Sequence, residues 1–306
     1  MSGLMMSNKK LIIIAGPTAI GKTALSIRLA KHYQCPILSF DSRQIYKEMN
    51  IGTAKPSTEE LAAAEHHFIG THSIHERYTA GIFEKEALET LDKIFETNEY
   101  CIAVGGSGLY INALAYGIDD IPSNEAIRAR LKEEWQTFGL EKLAQKVKDV
   151  DPEYYEIGDM QNSRRVIRAL ETFELTHEKY SELRKKTAKK RPFQMAWIGL
   201  NTDREILFNQ INSRVEIMVK KGLIEEVKSL EPFNQLKALK TVGYSELFSY
   251  LKNEIPLEEA IRLIQRNTRH FAKRQVTWFA KNTSVNWFKP DQDEDITHKI
   301  NQIFLP

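Results

Sequence analysis

The feature that most constrains the fold of this chain is a glycine-rich loop that directly follows an apolar segment. Residues 11–15 (Leu-Ile-Ile-Ile-Ala) are typical of a buried strand, and the next eight follow the pattern G-x-x-x-x-G-K-T. Such glycines let backbone N–H groups converge on an anion, the lysine approaches the terminal phosphates, and the threonine hydroxyl can hold Mg²⁺. The sequence therefore predicts a di- or triphosphate site formed by Gly16, Pro17, Thr18, Ala19, Ile20, Gly21, Lys22 and Thr23.

Composition limits the classes of protein to which the chain can belong. With 306 residues, 42% of them hydrophobic, we expect one large domain or a domain that carries an insertion. The net charge is only +2, so a nucleic-acid surface would require local segregation of charge. Cys35 and Cys101 lie in apolar segments, which predicts buried thiols and excludes a cysteine-rich zinc module. Residues 1–10 lack an apolar core and residues 11–15 are too few for a signal peptide or membrane span, so we expect a soluble, cytoplasmic protein that binds no membrane.

Hydrophobic periodicity predicts strands that alternate with helices. Helical spacing over residues 24–33 separates the first strand from a second at 36–40, and a helix over 80–97 precedes a strand at 101–104. This alternation is typical of a parallel sheet covered by helices, which binds ligands at the carboxyl ends of its strands. From about residue 119 to 191 the pattern is helical, and the next strand is expected at 195–200.

We therefore expect an α/β fold with a P-loop NTPase-like parallel sheet core. The core would comprise residues 1–118 and 194–306, the second part mostly helical, and residues 119–193 would form a helical insertion domain. Asp203 is expected to cap a helix that runs to Gly222.

Asp41 follows the predicted second strand and begins the segment Asp-Ser-Arg-Gln-Ile-Tyr. Its carboxylate could act as a base or as a metal partner beside the phosphate loop. A strand-end aspartate is equally often a turn or N-cap residue, so its position alone leaves both interpretations open.

The predicted helix from about 257 to 281 separates its charges onto one face. Steps of four, three and four residues bring Arg262, Arg266, Arg269 and Lys273 into a narrow arc. The complementary positions, Ile261, Ile264, Thr268, Phe271, Gln275 and Trp278, are expected to pack inward. No Asp or Glu occurs between residues 261 and 281, which favours an anion-facing stripe over an ordinary solvated face.

Two further clusters carry positive charge or histidine. Residues 184–191 hold six positive charges, for which a solvated surface and contact with nucleic acid are both consistent. Four histidines, His66, His67, His72 and His75, crowd one segment, but their spacing matches no standard zinc pattern. We expect core or hydrogen-bonding roles for them.

Several segments together resemble one family, the tRNA dimethylallyltransferases or tRNA isopentenyltransferases. The segments are Gly16–Thr23, Asp41–Tyr46, Gly52–Pro56, His66–His67, Gly105–Tyr110, Asn162–Glu171, Val242–Tyr244 and Thr268–Phe279. The resemblance covers nearly the whole chain from Leu11 onward. Ile20 replaces a residue that is usually small or polar, and Gly70 replaces an acid. The absence of the C-terminal Cys/His zinc module of eukaryotic members indicates the bacterial type.

The resemblance implies transfer of a dimethylallyl group from its diphosphate to N6 of adenosine 37, beside the anticodon of tRNA. It implies that Asp41 accepts the N6 proton and that Thr18 lies beside the reacting centre. Lys22, Arg214 and Thr23 with Mg²⁺ would stabilise the departing diphosphate.

The resemblance and the charge pattern also imply a partner, the tRNA anticodon stem-loop, whose stem the helical insertion would grip. We expect the protein to be a monomer. The tRNA contacts would be Asp41, Ser42, Arg43, Gln44, Ser107, Arg128, Gln161, Asn162, Ser163, Arg164, Arg165, Lys240, Thr241, Val242, Gly243, Tyr244, Ser245, Arg266, Arg269 and Lys273. Ser107 stands where many members carry Thr.

Three other functions compete with this one. Phosphate loops most often hold ATP or GTP, so a small-molecule phosphotransferase would explain the loop but not the arginine stripe. A free-nucleotide prenyltransferase would use Asp41 and the loop without an anticodon-stem grip. A tRNA-binding protein that uses nucleotide only as a switch would turn over no prenyl donor.

Overall fold

The structure, a computed structural model, describes residues 9–184 and 188–305 and contains one six-stranded sheet. The strands are β1 (Lys10–Ala15), β2 (Ile37–Ser39), β3 (His66–His67), β4 (Tyr100–Gly105), β5 (Gln194–Leu200) and β6 (Asn286–Phe288). Their order is β3-β2-β4-β1-β5-β6, and every neighbouring pair is parallel. The predicted α/β fold with a parallel sheet is confirmed.

Helices connect the strands and account for most of the rest of the described chain. The first group is α1 (Lys22–Tyr33), α2 (Thr58–Ala62), α3 (Ala80–Thr97) and α4 (Gly108–Tyr116). The second is α5 (Glu125–Phe138), α6 (Leu140–Val150), α7 (Pro152–Ile157), α8 (Ser163–Thr176) and α9 (Tyr180–Leu183). The third is α10 (Arg204–Lys220), α11 (Leu223–Ser229), α12 (Tyr244–Leu251), α13 (Leu257–Phe279) and α14 (Asp293–Phe304), with short 3₁₀ turns at Glu231–Phe233 and Lys237–Leu239. None of the helices in the described ranges is long and apolar enough to cross a membrane.

The chain forms two compact units. One is Tyr116–Lys189, in which α5–α9 surround a small apolar core that includes Leu131, Val147 and Val166. The other contains the sheet and all remaining described helices. Its central strand β1 is buried along its length, and both Cys35 and Cys101 are buried as expected.

Local sequence signals explain where several helices begin. The Thr79 hydroxyl accepts a hydrogen bond from the Ile82 N–H and caps α3, and Asn124 caps α5 in the same way. Asp203 occupies the N-cap position of α10, as predicted, but its side chain makes no capping hydrogen bond. β3 and β6 were not predicted, because two or three residues are too few to show an alternating pattern.

Candidate active site

The phosphate loop connects the end of β1 to the start of α1. Gly16 has a φ of 151°, and a Cβ there would lie 2.7 Å from the carbonyl oxygen of Leu200 at the end of β5, so the loop can pass β5 only with glycine. Ala19 is held at a φ of 68°, a left-handed conformation that alanine rarely adopts. Such strain persists where the surrounding structure fixes the backbone, as it does around anion-binding loops.

The Lys22 side chain folds back onto the phosphate loop. Its ammonium donates hydrogen bonds to the carbonyl oxygens of Gly16 (3.0 Å) and Pro17 (2.7 Å). Burial lowers the pKa of Lys22 to about 7; the negative charge of Asp41 raises this pKa and the positive charge of Arg214 lowers it. The three side chains are therefore close enough to act on one another, although their positions in the sequence span 193 residues, from Lys22 to Arg214.

Arg214 is a partly buried cation of α10. It makes no hydrogen bond and no ion pair with any residue in the described ranges, and burial lowers its pKa while the charge of Glu60 raises it. A guanidinium removed from water without a partner is costly to the fold. This environment is suited to a bound anion.

Asp41 follows β2 and serves as a turn residue. Its Oδ1 accepts hydrogen bonds from the N–H groups of Arg43 (2.9 Å) and Gln44 (3.3 Å). Within the described chain Oδ2 makes no hydrogen bond, so a turn role leaves one carboxylate oxygen available. Both interpretations of Asp41 are therefore compatible with its geometry.

The loop after β4 joins the Asp41 segment through two serines. The Ser107 hydroxyl accepts a hydrogen bond from the Ser42 N–H (2.9 Å) and donates one to the Ser42 hydroxyl (3.0 Å). Arg43 and Gln44 are also anchored: Arg43 donates to the Ala238 carbonyl (2.8 Å), and the Gln44 amide donates to the carbonyls of Thr53 and Ala54 (3.2 and 2.9 Å).

A large cavity of about 1330 Å³ opens where these loops meet, within the unit that contains the sheet. Many of the predicted site residues line it, namely Thr18, Ala19, Ile20, Gly21, Lys22, Thr23, Asp41, Ser42, Arg43, Gln44, Ser107, Arg214, Thr241, Val242 and Gly243. Gly16, Pro17, Lys240, Tyr244, Ser245, Arg266, Arg269 and Lys273 belong to the same unit but are not among its lining residues. Apolar side chains also line the cavity, among them Ile206 and Ile217 of α10 and Phe271 of α13, which are 48%, 51% and 39% exposed.

Sequence patterns did not predict the contacts that hold another part of the cavity lining in place. The Glu226 carboxylate accepts hydrogen bonds from the N–H groups of Asn50, Ile51 and Gly52 (2.7–3.0 Å) and from the Tyr244 hydroxyl (2.6 Å). These bonds hold the loop before α2, which lines the cavity. A local sequence pattern cannot predict a hydrogen bond between residues about 175 positions apart, so only the fold shows it.

Helix α13 carries the predicted cations, but they are not equivalent. Arg262, Arg266 and Lys273 are all exposed, but within the described ranges only Arg262 forms an ion pair, with Glu259 (2.6 Å) one turn earlier in the helix. Arg269 donates to the Asn212 side chain (2.6 Å). The Phe208 ring has Arg269, Lys273 and the unpredicted Arg204 within 5.1–5.8 Å of its centroid. The cationic surface is thus built by α10 as well as α13.

Two of the positions expected to pack inward are exposed instead. Phe271 lines the cavity, and Trp278 is 42% exposed although its indole lies close enough to Gly108 that a Cβ there would be 2.1 Å from the indole nitrogen. Helical spacing finds the inner arc of a helix but does not show which part of that arc borders a cavity.

The tRNA-binding residues predicted in the second unit, Tyr116–Lys189, divide into two kinds. Arg128 is committed to Glu171, which is completely buried and also receives Arg168 and the Asn124 N–H. Gln161, Arg164 and Arg165 are exposed around the start of α8, beside Asn162 and Ser163; Arg165 lies 3.6 Å from Asp159. The exposed group is the one that can meet an external anion.

One residue of the basic run, Arg191, and one of the histidines, His66, make contacts within the fold. Residues 185–187 lie outside the described ranges, and Arg191 turns inward to Glu84 (2.7 Å) and the carbonyls of Ala113 and Leu114. In the described ranges no three His, Cys, Asp or Glu side chains are grouped to hold a metal. The His66 ring instead bonds to the Ala64 carbonyl (2.7 Å).

Comparison with known proteins identifies the family. The family model described as IPP transferase matches residues 44–282. The chain is 46% identical over 300 residues to a tRNA dimethylallyltransferase of Flavobacterium johnsoniae (95% of this chain, 97% of the relative) and 47% identical over 302 residues to one of Christiangramia forsetii (97% and 100%).

Solved structures agree with the sequence comparisons. A full-length tRNA isopentenylpyrophosphate transferase from Bacillus halodurans superposes with a TM-score of 0.71 at 36% identity, covering 96% of this chain and 95% of that one. A eukaryotic dimethylallyltransferase acting on tRNA gives a TM-score of 0.78 at 25% identity, covering 96% and 77%. The chain belongs to the IPP transferase family, the family of the tRNA dimethylallyltransferases.

Proposed function

We propose that this protein transfers the dimethylallyl group of dimethylallyl diphosphate to N6 of adenosine 37 in tRNA and releases diphosphate. The observation that carries the proposal is one cavity in which Lys22 and Arg214, two cations that form no ion pair with the described residues, share space with a carboxylate and apolar side chains. A diphosphate, an isoprenoid tail and an amine that must lose a proton require these three chemical environments together.

The donor would bind with its diphosphate against the phosphate loop. Lys22, Arg214 and the loop N–H groups would hold the anion and stabilise the charge that accumulates as the diphosphate leaves. The branched hydrocarbon would pack on the apolar side chains of Ile206, Ile217 and Phe271, where it leaves water.

The residues present suit a Mg²⁺ ion that is bound partly by the protein and partly by the diphosphate of the substrate. The Thr23 hydroxyl lines the cavity and makes no hydrogen bond with the described residues, and no carboxylate cluster in those ranges could bind a metal alone. Thr23 would hold the ion together with diphosphate oxygens, since Mg²⁺ is commonly bound by few protein ligands plus phosphates. When bound, the ion neutralises negative charge on the leaving group.

Asp41 would accept the proton. In the transfer, the bond between C1 of the dimethylallyl group and the diphosphate oxygen breaks, and its electron pair leaves with the diphosphate. The N6 lone pair forms the new bond to C1, and the proton lost from N6 goes to the Asp41 carboxylate, whose Oδ2 makes no hydrogen bond with the described residues. Thr18, which also lines the cavity, would lie beside the reacting atoms.

The tRNA would contact both units. A base within a stacked anticodon loop must be extruded to enter the cavity, where Asp41–Gln44, Ser107 and, from the segment 240–245, the lining residues Thr241–Gly243 would surround it. Arg266, Arg269 and Lys273 would meet the phosphate backbone, as would Gln161–Arg165 from the helical insertion, which would grip the anticodon stem. We propose that the protein acts as a monomer in the cytoplasm, where its tRNA substrate is found.

The test is incorporation of label from dimethylallyl diphosphate, with Mg²⁺, into unmodified tRNA that carries adenosine 37. A tRNA with that base replaced and free AMP serve as controls. Label only in the first RNA supports the proposal. Label in AMP would instead indicate a free-nucleotide prenyltransferase, and nucleotide hydrolysis without any label would indicate a phosphotransferase or a nucleotide switch.

A further inference from the structure

Gln275 joins two loops at the carboxyl edge of the sheet. This side chain of α13 is only 6% exposed. Its Oε1 accepts a hydrogen bond from the Thr18 N–H (2.8 Å), and its Nε2 donates one to the Gly106 carbonyl (2.9 Å). A Cβ at Gly106 would lie 2.1 Å from Nε2, so this close approach requires glycine. One amide therefore connects the phosphate loop to the loop after β4.

The connection extends to the segment that carries Asp41. Next to Gly106, Ser107 exchanges hydrogen bonds with the N–H and hydroxyl groups of Ser42. Ser42 directly follows Asp41, whose Oδ1 is fixed by the turn it makes with the next residues. The loops after β1, β4 and β2 thus form a single hydrogen-bonded assembly in which Gln275 is the link to the phosphate loop.

An amide is the side chain that suits this link. Glutamine offers an acceptor and a donor at a fixed spacing and in a neutral state, so it can satisfy an N–H on one side and a carbonyl on the other. A carboxylate would satisfy the Thr18 N–H but would repel the Gly106 carbonyl. An apolar side chain of similar length would leave both backbone groups without this partner.

We propose that Gln275 is a positioning residue that sets the distance between Thr18 and Asp41 in the transfer reaction. The inference rests on the proposed function, because those two residues would flank the reacting atoms from opposite loops. Gln275 acts through them: both ends of its amide are already bonded to backbone. Its contribution belongs to the geometry of the reaction and not to the affinity for either substrate, since displacement of catalytic groups by about 1 Å can cost about 10² in rate.

The first test is Gln275→Met, assayed by steady-state prenyl transfer to tRNA, with thermal unfolding measured in parallel. We expect kcat to fall about tenfold or more while KM for dimethylallyl diphosphate and for tRNA changes less than about threefold. The matched control is Thr277→Val on the same helix, which removes the hydroxyl of an exposed residue that, within the described chain, bonds only to the Lys273 carbonyl. An unchanged kcat in Gln275→Met, or a loss confined to KM, overturns the inference.

The second test, Gln275→Glu, separates positioning from general structural damage. Ionised, the new carboxyl repels the Gly106 carbonyl; protonated, it regains a donor and an acceptor like those of the amide. Because position 275 is buried, the pKa of the new carboxyl should rise above its usual value of about 4.3. The ratio of kcat in this variant to kcat in the wild-type protein should therefore rise as the pH falls from 8 to 6, whereas the ratio for Gln275→Met should stay constant. A pH-independent ratio for Gln275→Glu contradicts the proposal.

The same assays distinguish the two levels of inference. Wild-type protein that transfers no prenyl group to tRNA would overturn the proposed function and this inference with it. Active wild-type protein with a fully active Gln275→Met variant would overturn the positioning role alone.

Discussion

The cations of the cavity and the arginines of the second unit differ in their partners. Lys22 and Arg214 are withdrawn from water, and neither forms an ion pair within the described chain. In the second unit, Arg128 and Arg168 converge on the buried carboxylate of Glu171. A desolvated cation without a partner destabilises the free protein, and a bound anion relieves this cost; loss of a paired cation instead leaves its buried partner uncompensated and destabilises the fold. The presence or absence of an ion-pair partner therefore distinguishes the cations suited to bind an anionic ligand from those that contribute to the fold.

The largest effect should follow from the carboxylate that shares the cavity with the unpaired cations. In Asp41→Asn, the amide oxygen can keep the turn with Arg43 and Gln44, but the side chain no longer accepts a proton. We expect turnover to fall by about 10²-fold or more with tRNA binding largely retained, measured by single-turnover transfer and filter binding. Asp203→Asn is the control, because this exposed carboxylate makes no capping hydrogen bond. Near-normal turnover in Asp41→Asn would exclude Asp41 as the base.

The pKa of Lys22 makes diphosphate binding depend on pH. Burial lowers this pKa from 10.5 to about 7, so the ammonium of the ligand-free protein loses its proton as the pH rises through 7. A bound diphosphate favours the charged form, so binding above pH 7 must take up a proton. Affinity for dimethylallyl diphosphate should then weaken by up to about tenfold per pH unit between pH 7 and 9.

Calorimetry in buffers of different ionisation enthalpy would measure that proton uptake directly. The comparison variant is Lys22→Arg, whose guanidinium stays charged over the same range. Its affinity should change less with pH than that of the wild-type protein. Equal pH slopes and no proton uptake by the wild-type protein would mean that Lys22 is already charged in the empty cavity, which would weaken the contrast between the two regions.

The paired arginine of the second unit should affect stability more than binding. Arg128→Met leaves Glu171 with Arg168 but without its bidentate partner, so we expect a loss of roughly 1–3 kcal/mol in unfolding free energy. Arg164→Met is the matched change at an exposed position and should alter stability by less than about 0.5 kcal/mol while weakening tRNA binding. Urea denaturation and tRNA titration of both variants test whether Arg128→Met mainly lowers stability and Arg164→Met mainly weakens tRNA binding. Equal stability of the two variants would refute it.

Sequence reasoning located the parallel sheet and the phosphate loop because both depend on short-range patterns. The predicted helix at 80–97 coincides with α3, and the strand at 101–104 lies within β4. These segments have enough residues for their hydrophobic period to be recognised. The same patterns placed Asp41 and Gly105 at the edge where the cavity lies.

The partners of individual side chains could not be predicted, because they depend on contacts between distant segments. The bond from Gln275 to Thr18 spans 257 residues, and that from Glu226 to Ile51 spans 175. Helical spacing assigned Gln275 to the inner arc of α13 together with Phe271 and Trp278, yet the first is buried and the others are exposed. Charge patterns likewise gave Arg262 and Arg266 the same role, although only the first has an ion-pair partner within the described ranges.

The smallest predicted effect concerns two arginines of α13, Arg262 and Arg266, which differ in ion pairing. Both arginines are exposed, but within the described chain Arg266 bonds only to the Asn267 side chain and can therefore neutralise a phosphate, whereas Arg262 is already paired with Glu259. In Arg266→Gln, the slope of log affinity for tRNA against log salt should become shallower by about 0.7–1, the amount expected for one lost phosphate contact. Arg262→Gln should leave the slope nearly unchanged. If both substitutions flatten it equally, intrahelical pairing does not remove an arginine from the RNA-binding surface; if neither does, α13 carries only a solvated face, and the double charge reversal of Arg266 and Arg269 to Glu should likewise leave tRNA affinity intact.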